Sequence, residues 1–321
     1  MSSIAVPADA AGERLDRFLA RREEFGTRAR VQRLIAGGGV RVNGKVAKAG
    51  LALRQGDGID VDRGVALEEP QAGRRAQAED IPLVILFEDD DLLVIDKPAG
   101  LVVHPAPGHW SGTLVSALLH HWRGRRPGLD ELRPGIVHRL DRDTSGVLAI
   151  GKTPEVVTAL AAQFRARTVA KEYVALVWRR PRVGRGVIDH PIGRHPKQRK
   201  RMAVRASGRA AVTSYEVLED LGGIALLRVS PETGRTHQIR VHLAAAGHPI
   251  VADTTYGRAR HTGDAALDEF PRQALHAARL AVDHPTSGDR LVFEAPLPPD
   301  MCGLVAHLRS RRERGGGRGF A

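Results

Sequence analysis

Sulfur, aromatic rings and long apolar runs are all scarce in this sequence, and each scarcity closes off a class. Cys302 is the lone cysteine, so neither an intrachain disulfide framework nor a cysteine-based zinc site can form. Aromatic residues make up 4% of the 321 residues, so the core must be built from Leu, Val, Ile and Ala. No apolar run reaches the ~18 residues that a membrane span needs. Residues 1–9 show no basic stretch followed by an apolar one, so a cytoplasmic protein without membrane attachment is expected. There is no Gly-x-x-x-x-Gly-Lys-Ser/Thr segment to cradle a triphosphate and no His-Glu-x-x-His to hold zinc. Acid is outnumbered too: 37 Asp and Glu face 49 Lys and Arg, a formal charge of +12. A field of that sign favours a polyanion.

The chain opens with an extended lead-in over residues 1–12. Leu15, Phe18 and Leu19 then fall on one helical face, and Val31, Leu34 and Ile35 on another, with Thr27 as the N-cap of the second helix. Gly37-Gly38-Gly39 stops that helix. Asn43-Gly44 between short apolar alternations predicts a hairpin. Residues 63–80 have no period and read as a linker. A larger domain begins at Ile81, with two buried-type strands over 83–87 and 92–95. A helix is expected over 113–122, and another from Thr153, with Pro154 at its first position. The strand over 171–177 puts Lys171, Tyr173 and Ala175 on one face. Strands at 213–218 and 224–229 precede a helix over 236–246, with Arg235 at its leading edge. A strand over 291–296, a helix from Pro299 and a basic, Gly-rich flexible tail over 311–321 close the chain. Few helix–strand alternations imply an α+β protein: a small α/β domain, then a mixed, mostly antiparallel sheet flanked by helices.

Two stretches carry the chemistry. Residues 135–150 set His138, Arg139, Asp141, Arg142, Asp143, Thr144 and Ser145 between runs of strand formers. Dense polarity inside such a run is either a polar hairpin or an active-site loop. Residues 231–250 bring Arg235, His237 and His242. Residues 194–209 add seven Lys and Arg and no acid, which suits a solvated loop or an RNA contact. A metal site from His138, His237 and His242 lacks acidic partners at ligand spacing. Asp141-Arg142-Asp143-Thr144 matches the Asp-x-Asp-x-Thr of aspartyl-phosphate phosphatases, but His138-Arg139 stand where an apolar strand should lead in. Asp141 and Asp143 could form a glycosidase pair, without the aromatic platforms that carbohydrate sites use. Chemistry on a nucleic-acid glycosidic bond suits the basic balance best.

Two resemblances sharpen this reading. LDRFLA, RVQRLI, VRVNGK and RQGDGIDV resemble an S4 RNA-binding domain over residues 13–62, with Thr27 where that family usually has Ser. On such a domain Arg28, Arg30, Arg33, Arg41 and Lys45 would contact phosphates. HRLDRDTSG, DKPAGLVVHP, KEYVALV, TGRTHQIRVHLA and LVFEAPLPPD resemble the RluA/RluD-type pseudouridine synthases, which implies a catalytic domain over 81–310. RHPKQRKRMAV and RQALHAARL resemble the members that act on large-subunit rRNA. Ala252 departs from the family, which commonly has Gly there. The resemblance implies that Asp141 is the catalytic carboxylate and that Arg139 fills the space left by the flipped uridine. Tyr173 would stack on the base and assist proton movement. Arg235 would pair with Asp141, and His138 would join the substrate contacts. An Asp nucleophile must be ionised, and a neighbouring Arg favours that form. Asp143, Thr144 and Ser145 are expected to tie the loop's own backbone. Isomerising uridine changes no oxidation state and consumes no phosphate, so no cofactor and no metal is expected. The expected partner is RNA, in large-subunit rRNA or a pre-ribosomal particle, with no obligate protein partner. A tRNA pseudouridine synthase of the same family and a catalytically silent ribosome-associated RNA-binding protein are the alternatives.

Overall fold

The computed structural model describes residues 2–25, 28–62, 77–105, 110–123, 134–198, 201–257 and 261–315. Thr27, residues 63–76 of the expected linker and residues 316–321 of the expected tail lie outside them, as do the side chains of Arg28 and Arg33. The chain divides into two compact units, Met1–Arg75 and Ala76–Ala321.

The first unit holds β1 (Ser2–Ala5), α1 (Leu15–Ala20), α2 (Arg28–Ala36), β2 (Val40–Val42), β3 (Lys45–Val46) and β4 (Gly58–Val61). Its antiparallel sheet has the order β1-β4-β2-β3. The expected lead-in therefore contains a strand. Alternation turns Val40, Val42, Ile59 and Val61 inward onto Leu15, Phe18, Leu19, Val31, Leu34 and Ile35. Asn43 and Gly44 both take positive φ, 51° and 76°, the backbone that a two-residue hairpin turn requires.

The second unit is built on a nine-stranded sheet. Its first half contains β5 (Val84–Glu88), β6 (Leu92–Lys97), α3 (Leu114–His121), β7 (Ser145–Gly151), α4 (Pro154–Ala166) and β8 (Ala170–Trp178). Next come β9 (Arg185–Asp189), the hairpin β10 (Ile192–Arg194) and β11 (Met202–Val204), β12 (Val212–Asp220) and β13 (Ile224–Pro231). Then follow α5 (Gln238–Ala245), α6 (Ala265–Asp268), β14 (Leu275–Asp283), β15 (Arg290–Glu294) and α7 (Pro299–Glu313). The strand order is β5-β6-β7-β14-β8-β13-β12-β9, with β15 also paired to β14. Among the described residues β7 and β14 are the one parallel strand pair of this sheet; the other pairs are antiparallel. This is the α+β architecture that the sequence implies.

Several local expectations have visible causes. The Thr153 hydroxyl accepts the Val156 N–H at 3.3 Å, and Pro154 opens α4. Thr113 caps α3 in the same way. Of the two strands expected to be buried, β6 is and β5 is not. β5 lies at the sheet edge, with Val84 59% and Ile85 41% exposed. A row of alternating charge crosses the sheet through Arg185, Glu216, Arg228, Glu172, Arg279 and Glu294, with neighbours 2.6–3.4 Å apart. Opposite charges on adjacent strands make that face compatible with water. Among the described residues no helix is long and apolar enough to cross a membrane.

Candidate active site

The polar loop ahead of β7 is held from several directions. Lys97, at the end of β6, is fully buried, and its ammonium donates to the carbonyls of Pro98, Leu101 and Arg142 at 2.7, 3.0 and 3.0 Å. Burial pulls it down to about 8, which leaves it largely charged at neutral pH. The Arg142 carbonyl also accepts the Gly100 N–H at 2.9 Å. One residue on, the Asp143 carbonyl accepts from Arg272, itself paired with Asp300. Gln273 donates to the Thr144 hydroxyl at 3.2 Å, and the Ser145 hydroxyl meets His276 Nδ1 at 2.9 Å. Gly146 admits no side chain, because a Cβ there would lie 2.1 Å from the Ala277 carbonyl oxygen. The loop's own backbone contributes one turn, from Thr144 N–H to the Asp141 carbonyl. The expectation for Asp143, Thr144 and Ser145 is thus corrected. Their side chains bond to Arg142, Gln273 and His276, because β7 threads the loop between β6 and β14.

This clamp presents Asp141 to a cavity of about 380 Å³, within the usual range of ligand sites. The Asp141 Oδ2 accepts from Arg240 Nη1 at 2.9 Å. The same guanidinium makes a two-pronged pair with buried Asp253, at 2.7 and 2.8 Å. Burial works against the Arg240 charge, but the Asp253 and Asp141 carboxylates outweigh it and hold the guanidinium above its ordinary range. On the other side, His237 Nε2 stands 3.8 Å from Asp141 Oδ1.

The expected pairing of Arg235 with Asp141 is corrected here: the partner is Arg240, five residues later. Arg235 donates to the Ala210 carbonyl at 3.0 Å. The cause lies in where the helix begins. α5 starts at Gln238, not at 236, because His237 takes a left-handed backbone, φ 55°. Gln238 then accepts the Arg235 N–H and the Thr233 hydroxyl. Arg235 does line the cavity. Burial first, and then the like charges of Arg209 and Arg167, lower its guanidinium below the ordinary value.

The remaining expected residues divide. Tyr173 lines the cavity, and burial, then Asp141, push its phenol well above the ordinary range. Arg139 is exposed at the cavity mouth. His138 lines the wall, but its Nε2 accepts the Ala149 N–H at 2.9 Å, and its ring stacks on Phe164 at 4.6 Å. Burial holds it near 3, so it is a neutral wall residue that ties the loop to β7. In the first unit Arg30, Arg41 and Lys45 are exposed. Sequence reading missed Arg240, Lys97, Arg272 and Asp253 as parts of the site. The available signal was charge inside otherwise apolar surroundings, Lys97 after Val94-Ile95 and Arg240 between Ile239 and Val241. Among the described residues no group of three or more His, Cys, Asp or Glu could hold a metal ion.

Comparison with known proteins adds to this geometry. Residues 91–245 match the family described as RNA pseudouridylate synthase, and residues 13–59 match the S4 domain. The chain is 47% identical over 311 residues to the ribosomal large subunit pseudouridine synthase D of Nitrosomonas europaea, covering 96% of this chain and 88% of that one. It is 45% identical to the protein of the same name from Pseudomonas aeruginosa, covering 96% of each. The solved structure of human RNA pseudouridylate synthase domain containing 4 aligns over 70% of this chain and 93% of its own, at 26% identity and TM-score 0.57.

Proposed function

The chain belongs to the RNA pseudouridylate synthase family and is an RNA pseudouridine synthase, and from that premise we propose that it acts on large-subunit rRNA with Asp141 as its nucleophile. The observation that carries the nucleophile is the geometry of one carboxylate. Asp141 alone among the loop's acids opens onto the cavity, with a fixed positive charge at 2.9 Å. Asp143 is paired to Arg142 instead. A uridine inside structured RNA must leave its stack to reach such a cavity, at a cost of a few kcal/mol. Arg139 at the mouth is placed to fill the vacated space. Arg167, Arg209, Arg235 and Lys171 crowd positive charge near the rim, which supports a phosphate backbone there. Tyr173 offers its ring as a stacking platform. Its phenol stays protonated, which favours stacking and donation over its use as a base.

The names of these relatives support the substrate, and the exposed cations of the S4 unit are suited to phosphate contacts without sequence choice. A cytoplasmic setting, beside the ribosome, follows from that substrate. Two measurements test the reading. Asp141→Asn should bind an rRNA fragment as the natural protein does and lose pseudouridine formation by at least about 10⁴-fold; an active variant removes Asp141 from its role. Chemical mapping of pseudouridine in cells with and without the gene should show a loss in large-subunit rRNA. Unchanged rRNA together with altered tRNA would replace the substrate.

A further inference from the structure

His237 and Tyr256 stand between the catalytic carboxylate and the basic β10–β11 hairpin. We propose that they form a positioning relay through which RNA seated on the hairpin sets the orientation of Asp141. The inference rests on the proposed RNA substrate.

Three contacts in series make the relay. The Met202 N–H, on β11, donates to the Tyr256 hydroxyl oxygen at 2.9 Å. That hydroxyl meets His237 Nδ1 at 2.7 Å. His237 Nε2 then stands 3.8 Å from Asp141 Oδ1. A backbone N–H can only donate, so the Tyr256 oxygen accepts from Met202 and its own proton is available to His237 Nδ1. The imidazole proton then sits on Nε2, which faces Asp141. Burial lowers His237 below its ordinary value, in keeping with a neutral ring that accepts at one nitrogen and donates at the other. The gap of 3.8 Å is too long for a hydrogen bond, so a small shift of the chain of contacts makes or breaks the last one.

Each link is held in place. His237 is carried on a left-handed backbone at the start of α5. Such a conformation is unfavourable for a non-glycine residue and persists only where the surroundings impose it. The Asp253 carboxylate accepts the N–H of Thr255 and of Tyr256 at 2.9 and 3.0 Å, while it also pairs with Arg240. The Tyr256 ring centroid lies 5.2 Å from the Arg240 guanidinium and 5.3 Å from that of Arg201 on the hairpin side. The hairpin packs its own Ile192, Met202 and Val204 against Ala211 and Val241, in the small cluster to which Tyr256 also belongs. It carries Arg194, Lys197, Arg201 and Arg205 with no acid over 194–209. A phosphate backbone bound there would press on the segment whose N–H begins the relay. Asp141 thus has Arg240 at 2.9 Å on one side and the Nε2 of His237 3.8 Å away on the other.

Tyr256→Phe keeps the ring and removes only the hydroxyl. With the full-length protein and an rRNA fragment, it should lower kcat about 10- to 100-fold, the scale of a small misplacement of a reacting group. KM and RNA affinity should stay within about twofold, because nothing that touches RNA has changed. Tyr256→Phe combined with His237→Ala should be no slower than His237→Ala alone, since both cut one chain of contacts. His237→Gln, whose amide can accept from Tyr256 and donate toward Asp141, should recover much of the kcat lost in His237→Ala. If Tyr256→Phe fails to fold, the comparison of His237→Gln with His237→Ala decides. A Tyr256→Phe kcat within about twofold of the natural protein, a fully additive double variant or no recovery in His237→Gln would overturn the relay. A natural protein that makes no pseudouridine in the rRNA fragment would instead remove the substrate reading.

Discussion

At the scale of single residues, Ala252 is the departure that the sequence flags, and the structure supplies its meaning. Its φ is 57°, the left-handed region where a Cβ is unwelcome. The residue precedes Asp253, which holds Arg240, so a strained link lies next to the ion pairs that join Asp253, Arg240 and Asp141. Glycine relieves the Cβ clash but loses more backbone freedom on folding. Ala252→Gly should therefore raise stability by about 0.5–1 kcal/mol. Its urea midpoint should rise without a change in slope, and an unchanged or lower midpoint would show that the turn carries no strain. The same scale explains how Arg235 and Arg240 exchange places. Both are arginines in one motif, and only the onset of α5 determines which one reaches Asp141.

At the scale of elements, the active loop depends on neighbours far along the chain. Lys97 lies 45 residues before Arg142, and Arg272 lies 129 residues after Asp143. Neither distance leaves a trace in local pattern. Lys97→Met fills a similar space and removes three hydrogen bonds together with one buried charge. The lost bonds and the removed desolvation cost oppose each other, so stability should change by less than about 2 kcal/mol. The loop carbonyl at Arg142 loses one of its two donors, and kcat should fall by about 10-fold or more. Measuring kcat beside the urea midpoint separates the two effects; full activity would leave Lys97 with no positioning role. Elements that were legible from sequence had local causes. The Thr153 cap at the start of α4 is closed within three residues, and the turn at Asn43-Gly44 follows from the positive φ that those two residues tolerate.

At the scale of the whole molecule, buried histidines link stability to pH. Burial holds His138 near 3 and keeps His242 and His276 below their ordinary value. The unfolded chain takes up protons at these sites near the usual ~6.5. Between the depressed folded values and that point the unfolded state binds more protons, so stability falls as pH drops. All three tryptophans, Trp110, Trp122 and Trp178, belong to the second unit, so their fluorescence follows that unit alone. Its urea midpoint should be lower at pH 5.5 than at pH 7.5; a higher midpoint in acid would contradict the assignment.

The amino-acid sequence by itself determined the two units, the α+β class, the family and the loop that carries Asp141. These rest on periodicity, caps, turns and motifs, which are properties of neighbouring residues. Only the tertiary structure decided that β5 is an exposed edge, that Arg240 replaces Arg235 beside Asp141 and that Lys97, Arg272 and His276 brace the loop. It alone brought His237 and Tyr256 into line with the β10–β11 hairpin. The physical reason is common to all of these: each contact is closed by chain segments distant in sequence. Whether a charged side chain finds its partner then depends on strand order and helix onset, which local pattern does not contain.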